Sequence, residues 1–284
     1  MFRRLAAAAM AAIALALPAF AQERFSATVS GKGPDVILIP GLGSSGEVWD
    51  ATVKQLAPTH RVHVVQVSGF AGAPARANGG EGEMLPGLVA EIGAYAAKLD
   101  RPAIIGHSLG GLVAMKVAAA QPDAIGRLMI VDALPFLALI YNQNATAEQA
   151  RRQAAMMRNN LLASEQAYAM SARMSVRNMV KTEAEHERVL KWALDSDRTV
   201  FAKAGSEDMM DDARPLLPKI TAKTTVVYAF DTDMPYPQSA MDALYAGAYA
   251  GLGGAKLVRV DGSYHFIQFD QPERFAKEVE AFLK

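Results

Sequence analysis

The chain of 284 residues has no cysteine, only two tryptophans, and 29 basic residues balanced by 29 acidic ones. Each of these absences excludes something. Without thiols there are no disulfides, no iron–sulfur ligation and no cysteine nucleophile, so an apolar core alone must hold the fold. Without a basic surplus, or a basic cluster interleaved with aromatics, nothing points to a nucleic-acid partner. The one long apolar run, Ala6 to Leu17, is too short for a comfortable membrane span. It follows Arg3 and Arg4 and precedes Pro18-Ala19-Phe20-Ala21, the arrangement of a secretory leader with an A-x-A site. Residues 1–21 are therefore expected to be a signal peptide cleaved after Ala21, with the mature chain periplasmic or secreted and lacking an integral span. Losing Arg3 and Arg4 leaves 27 basic against 29 acidic side chains, a net charge of −2. About 260 residues remain, enough for one large domain.

Short β-branched runs recur along that domain: Asp35–Pro40, Val62–Val67, Ala103–Ile105, Leu128–Val131, Thr224–Ala229 and Lys256–Val260. Helical patterns such as Leu88–Leu99 and Leu112–Ala120 lie between them. Apolar strands alternating with helices predict an α/β fold around a mostly parallel sheet flanked by helices. The alternation stops between about Leu134 and Lys219, where Ala147–Leu162 and Thr182–Leu194 read as helices and no strand is evident. Residues 22–134 and 216–284 are thus expected to form the core, and 135–215 a helical cap inserted into it. Seven of the 14 methionines fall in this insertion, mostly as helix-packing residues. The loop Gly69–Met84, rich in Gly and Ala, reads as mobile.

The sharpest signal is Gly106-His107-Ser108-Leu109-Gly110, a G-x-S-x-G placed between a strand and a helix. Such an elbow strains the serine backbone and needs small residues on both sides. It also sets the hydroxyl beside the free N–H groups of a helix N-terminus. A serine needs a base, and a neutral imidazole suits the task. Of five histidines, only His265 follows every candidate acid, in a loop leaving the last strand. For the acid that orients it, Asp233 is preferred, on a loop stiffened by Pro235 and Pro237. Asp132 at the end of the preceding strand and Asp231 as a turn former remain alternatives. The oxyanion donors are expected to be the backbone N–H groups of Leu109 and of Leu42, since Gly41 lets that backbone turn inward. Gly41, Trp49, His107 and Phe136 are expected to line the substrate pocket. Gly41-Leu42-Gly43-Ser44-Ser45-Gly46 also fits a dinucleotide fingerprint, but the next strand ends without the ribose-binding acid. A P-loop is excluded because no Gly-Lys-Ser/Thr follows.

With these residues in place, the chain resembles the α/β-hydrolase superfamily, in the branch of esterases, carbon–carbon hydrolases and haloperoxidase relatives that carry a helical cap. The carriers are Pro40-Gly41-Leu42-Gly43, Gly106–Gly111, Asp233 with Pro237, and Tyr264-His265-Phe266 followed by Gln271-Pro272. Pro40 stands where many members have histidine. The resemblance implies an acyl-enzyme on Ser108 with no metal and no organic cofactor. It also implies a small-molecule or polymeric acyl substrate, most simply a carboxylic ester. Lactones, thioesters, amides, short peptides or amide-linked polymers, and acyl transfer or perhydrolysis through the same intermediate, are the enzymatic alternatives. Ligand binding on a hydrolase scaffold is the alternative of another class. Nothing in the sequence fixes the oligomeric state.

Overall fold

The computed structural model describes residues 23–284, so the expected leader lies outside the described residues. Seven strands form one sheet: β1 (Phe25–Gly31), β2 (Asp35–Ile39), β3 (Arg61–Val67), β4 (Ala103–His107), β5 (Arg127–Val131), β6 (Lys223–Phe230) and β7 (Lys256–Asp261). Their order is β1-β3-β2-β4-β5-β6-β7. All neighbours are parallel except β1, which pairs antiparallel with β3. Six strands coincide with the apolar runs of the sequence. β1 was not expected, because an edge strand buries little and Phe25 is its only fully buried residue.

Alternation along the central strands sends successive side chains to opposite faces. Ile37, Ile39, Ile104, Leu128, Ile130 and Val226 face one core, built with α2 (Leu85–Ala96), α3 (Leu109–Ala120) and α8 (Gln238–Ala248). Val36, Leu38, Ile105, Met129, Val131 and Val227 face the other, built with α1 (Asp50–Leu56) and α10 (Pro272–Leu283). A short helix α9 (Ile267–Asp270) precedes α10.

Between β5 and β6 the chain forms only helices: α4 (Ala147–Ala163), α5 (Glu165–Met179), α6 (His186–Asp195) and α7 (Arg198–Met210), with short 3-10 turns around them. Each long cap helix has its own start signal. Thr146 and Gln149 form a capping box on α4, and the Ser164 hydroxyl caps α5. The Asp197 carboxylate accepts from the N–H groups of Thr199 and Val200 at the start of α7. The loop expected to be mobile is instead tied down from α7. Lys203 Nζ donates to the carbonyls of Asn78 and Gly80, and the Glu207 carboxylate accepts from the amides of Met84 and Leu85. Among the described residues no helix is long and apolar enough to cross a membrane.

The chain runs from β2 out to β3 on one side, then returns to β4 on the other. The loops after β2 and β4 therefore meet at the C-terminal edge of the sheet, at a topological switch point where open α/β sheets bind ligands.

Candidate active site

Ser108 occupies the turn between β4 and α3 with φ 53° and ψ −125°, a conformation L-residues rarely adopt. The strain persists because the turn is locked on every side. The Ser108 amide donates to the Val131 carbonyl at 2.9 Å, and its own carbonyl accepts from the Gly111 amide at 2.7 Å. A Cβ at Gly106 would run into the Gly110 carbonyl, and one at Gly110 into the carbonyl of Ile39. Only glycine permits that approach of strand, turn and helix.

The loop Pro40–Gly46 lies against this elbow. A Cβ at Gly41 would stand 3.1 Å from Ser108 Cβ and 3.1 Å from His107 Nδ1, which puts Gly41 beside the serine. Gly43 adopts φ +65° with the ring of Phe201 packed against it, and Gly205 approaches Leu42. Helix α7 thus lies across this loop. The amides of Leu42 and Leu109 have no hydrogen-bond acceptor among the described residues, as donors reserved for a developing oxyanion would require.

His265 follows β7 and is held from two sides. Its Nδ1 lies 2.7 Å from Asp132 Oδ2, and its carbonyl accepts from His107 Nε2 at 3.0 Å. The two imidazole rings pack with centroids 4.6 Å apart. That contact brings His265 to the residue preceding Ser108 and leaves its Nε2 as the uncommitted nitrogen. Among the described residues no hydrogen bond joins His265 Nε2 to the serine hydroxyl.

The acid on His265 is Asp132, where the sequence reading preferred Asp233. Asp132 directly follows β5 at φ +44°, a left-handed turn that Asp tolerates better than most residues. Its Oδ1 accepts from the Ala229 amide at 2.8 Å and from the Tyr245 hydroxyl at 3.0 Å. Asp233 is 66% exposed, points at Lys181 and donates its amide to Asp231. Asp231 is buried and paired with Lys181 Nζ at 2.5 Å. The loop after β6 closes as an Asx turn on Asp231 and carries Asp233 outward. The β7 loop instead reaches over β6 to the end of β5.

Three of the expected pocket residues serve other ends. Trp49 has no exposed surface and packs against Phe275 in the core beneath the sheet. Phe136 is equally enclosed, with the Arg214 guanidinium over its ring. Neither can form a pocket wall. His107 is also fully buried and supports the His265 loop. Burial first, then the neighbouring His265, holds its pKa well below the usual imidazole range, against the raising effect of its bond to the His265 carbonyl. It therefore stays neutral and donates through Nε2.

Two groups escaped the sequence reading. Tyr245 lies in a ladder with Tyr228 and Tyr249, its ring stacked 4.3 Å from that of Tyr228. Burial and the charge of Asp132 raise its pKa well above the usual phenol value, so it remains a donor. Asp208 on α7 is buried, and nothing in its local sequence separates it from Asp211 or Asp212. Among the described residues no cluster of three or more His, Asp or Glu side chains is arranged to hold a metal ion.

Residues 36–278 match the model of the alpha/beta hydrolase family. The chain belongs to that family. Among its named relatives, the pimeloyl-[acyl-carrier protein] methyl ester esterase of Aeromonas salmonicida (strain A449) is 37% identical over 113 residues, 40% of this chain and 41% of the relative. The protein of the same name from Aeromonas hydrophila subsp. hydrophila is 39% identical over 114 residues, with the same shares covered. The chain thus matches about two fifths of the length of these esterases. Solved structures of this alpha/beta hydrolase fold align almost throughout. The enol-lactonase from Burkholderia xenovorans LB400 gives a TM-score of 0.72 at 19% identity, covering 91% of this chain and 96% of the other. The esterase from Exiguobacterium antarcticum gives 0.73 at 17% identity, covering 91% and 95%. At these identities the likeness is one of fold.

Proposed function

We propose that this alpha/beta hydrolase cleaves a carboxylic ester, or a closely related acyl bond, through an acyl-enzyme on Ser108. Support comes above all from one arrangement: a strained serine at a strand–helix elbow, whose preceding residue, His107, packs against an imidazole with its Nδ1 held by a carboxylate. Asp132 fixes the tautomer in which Nδ1 carries the proton, so that Nε2 accepts the proton from Ser108 Oγ. Oγ then bonds to the acyl carbon, and the carbonyl oxygen takes up negative charge facing the amides of Leu42 and Leu109. Collapse expels the alcohol, which leaves with the proton from Nε2. Water repeats the sequence and releases the acid and Ser108. Before the first transfer the serine hydroxyl and Nε2 have to come within hydrogen-bond reach, a tightening common on substrate binding.

The test is a series of p-nitrophenyl esters from acetate to decanoate, with Ser108→Ala alongside. Turnover that falls by several orders of magnitude in the variant is the expected result. A folded wild-type chain that turns over none of these esters would overturn the ester assignment. We also propose that the protein is exported. N-terminal sequencing of protein recovered outside the cytoplasm should begin at Gln22, and an intact Met1 there would refute cleavage after Ala21.

A further inference from the structure

Residues 179–182 lead from the end of α5 towards α6, and they lie against the loop that carries His265. The Met179 carbonyl accepts from the amide of Phe266, directly after the histidine, at 3.0 Å. Directly before the histidine, the Tyr264 amide donates to Asp270 Oδ2 at 2.9 Å. The same carboxylate reaches the cap. Asp270 Oδ1 accepts from the amides of Lys181 and Thr182 at 3.0 and 2.8 Å, and from the Thr182 hydroxyl at 2.9 Å. A carboxylate has about four lone-pair sites, so these donors fill it.

Asp270 stands between α9 and α10 and caps neither. It lies at the C-terminal end of α9, where a negative charge gains nothing from the helix dipole, and α10 starts with no side-chain cap. All its side-chain hydrogen bonds among the described residues go to the cap segment and the His265 loop. A second link runs beside it. Lys181 Nζ lies 5.6 Å from the centre of the Tyr264 ring and pairs with Asp231. His186 Nε2 donates to the Val180 carbonyl at 2.7 Å and braces the segment from α6. The backbone around His265 is thus fixed at three points. Its own carbonyl is tied to His107 in the elbow, and the amides on either side are tied to the cap, directly or through Asp270.

Resting on the acyl-hydrolase reading above, we propose that Asp270 is a positioning residue that locks segment 179–182 of the cap to the His265 loop, so that the cap sets the reach of Nε2 towards Ser108. Asp270 acts through the Tyr264 amide and touches no reacting atom. A displacement of the cap segment is passed to the histidine, and a misplacement of about 1 Å at a catalytic group can cost about 10²-fold in rate.

The experiment compares Asp270→Asn, Asp270→Ala and Thr182→Val with wild type on p-nitrophenyl esters. Both Asp270 variants should lower kcat by at least about tenfold while KM changes less than about threefold. Thr182→Val alters only the cap end of the bridge and should lower kcat at least about twofold. An unchanged kcat in the Asp270 variants or in Thr182→Val would overturn the proposal. Two further readouts need no turnover. In Ser108→Ala, the low-field proton resonance of the His265–Asp132 hydrogen bond should broaden or vanish when Asp270→Asn is added. An unaltered resonance would reduce Asp270 to a structural role. In the unmodified protein, the amides of Lys181, Thr182 and Tyr264 should exchange hydrogen with protection equal within about threefold, as one opening unit. Cap amides that exchange more than about tenfold faster than that of Tyr264 would refute the coupling, and this measurement requires no variant to fold. If both readouts hold and no ester is cleaved, the ester assignment fails and the coupling stands.

Discussion

The Tyr245 hydroxyl donates to Asp132 Oδ1 at 3.0 Å, while the other oxygen of the same carboxylate holds His265 Nδ1 at 2.7 Å. One buried phenol thereby aims the carboxylate that aims the imidazole. Tyr245→Phe keeps the stacked ring and removes only this donor. A hydrogen bond to a charged group contributes about 1.5–3 kcal/mol, so kcat should fall about tenfold or more. If Tyr245 acts through Asp132, the pH profile of kcat should move with the substitution while KM stays nearly constant. A loss of stability with an unmoved profile would reduce Tyr245 to a packing residue.

Asp132→Asn should lower kcat by about 10³–10⁴, because an amide no longer holds the tautomer that frees Nε2 as a base. Asp233→Asn should change it less than about twofold, since that carboxylate is exposed and faces Lys181. Steady-state kinetics on both variants distinguish the two acids. The reverse ranking would return the role to Asp233.

Two buried groups should give stability opposite dependences on pH. Asp208, raised to about 7, holds a proton in the folded chain between about pH 4 and 7, where the unfolded chain does not. Its contribution is full at the acid end and is lost as pH rises through 7. His107 stays neutral when folded, whereas the unfolded imidazole takes a proton below about pH 6.5. Its contribution is full above that value and is lost as pH falls below it. Thermal melts from pH 4.5 to 8 should show Asp208→Asn gaining on wild type as pH rises. A constant difference in Tm across that range would refute the raised carboxyl.

Gly110→Ala should destabilise the fold by at least about 2 kcal/mol and impair turnover, because the new methyl meets the carbonyls of Ile39 and Pro40. Neither carbonyl can retreat without moving β2 or the loop Pro40–Gly46 that follows it. Urea unfolding measures the first effect. A variant as stable as wild type would mean that the elbow is looser than its geometry implies.

Much of the architecture is written in local chemistry. The β-branched runs at Val62–Val67 and Leu128–Val131 form buried strands wherever they pair, and the Thr146/Gln149 box starts a helix by itself. β1 escaped notice because its partner supplies what its own sequence lacks: the ladder with β3 satisfies its backbone. The glycines around Ser108 mark the elbow because no other residue survives the close approach of strand and helix.

What the sequence by itself determined is the order of the six parallel strands and the helices between them, the strained serine and the late histidine, all features set by backbone sterics and local periodicity. The tertiary structure decided which acid meets that histidine. Asp132 and Asp233 both follow strands, and only the path of the β7 loop across β6 brings His265 to one of them. It also decided that Trp49 and Phe136 are core and not pocket wall, and that Tyr245 meets Asp132. The reason is physical: local sequence fixes a side chain's chemistry, but its partners come from elements 97 to 133 residues away, brought together only by packing.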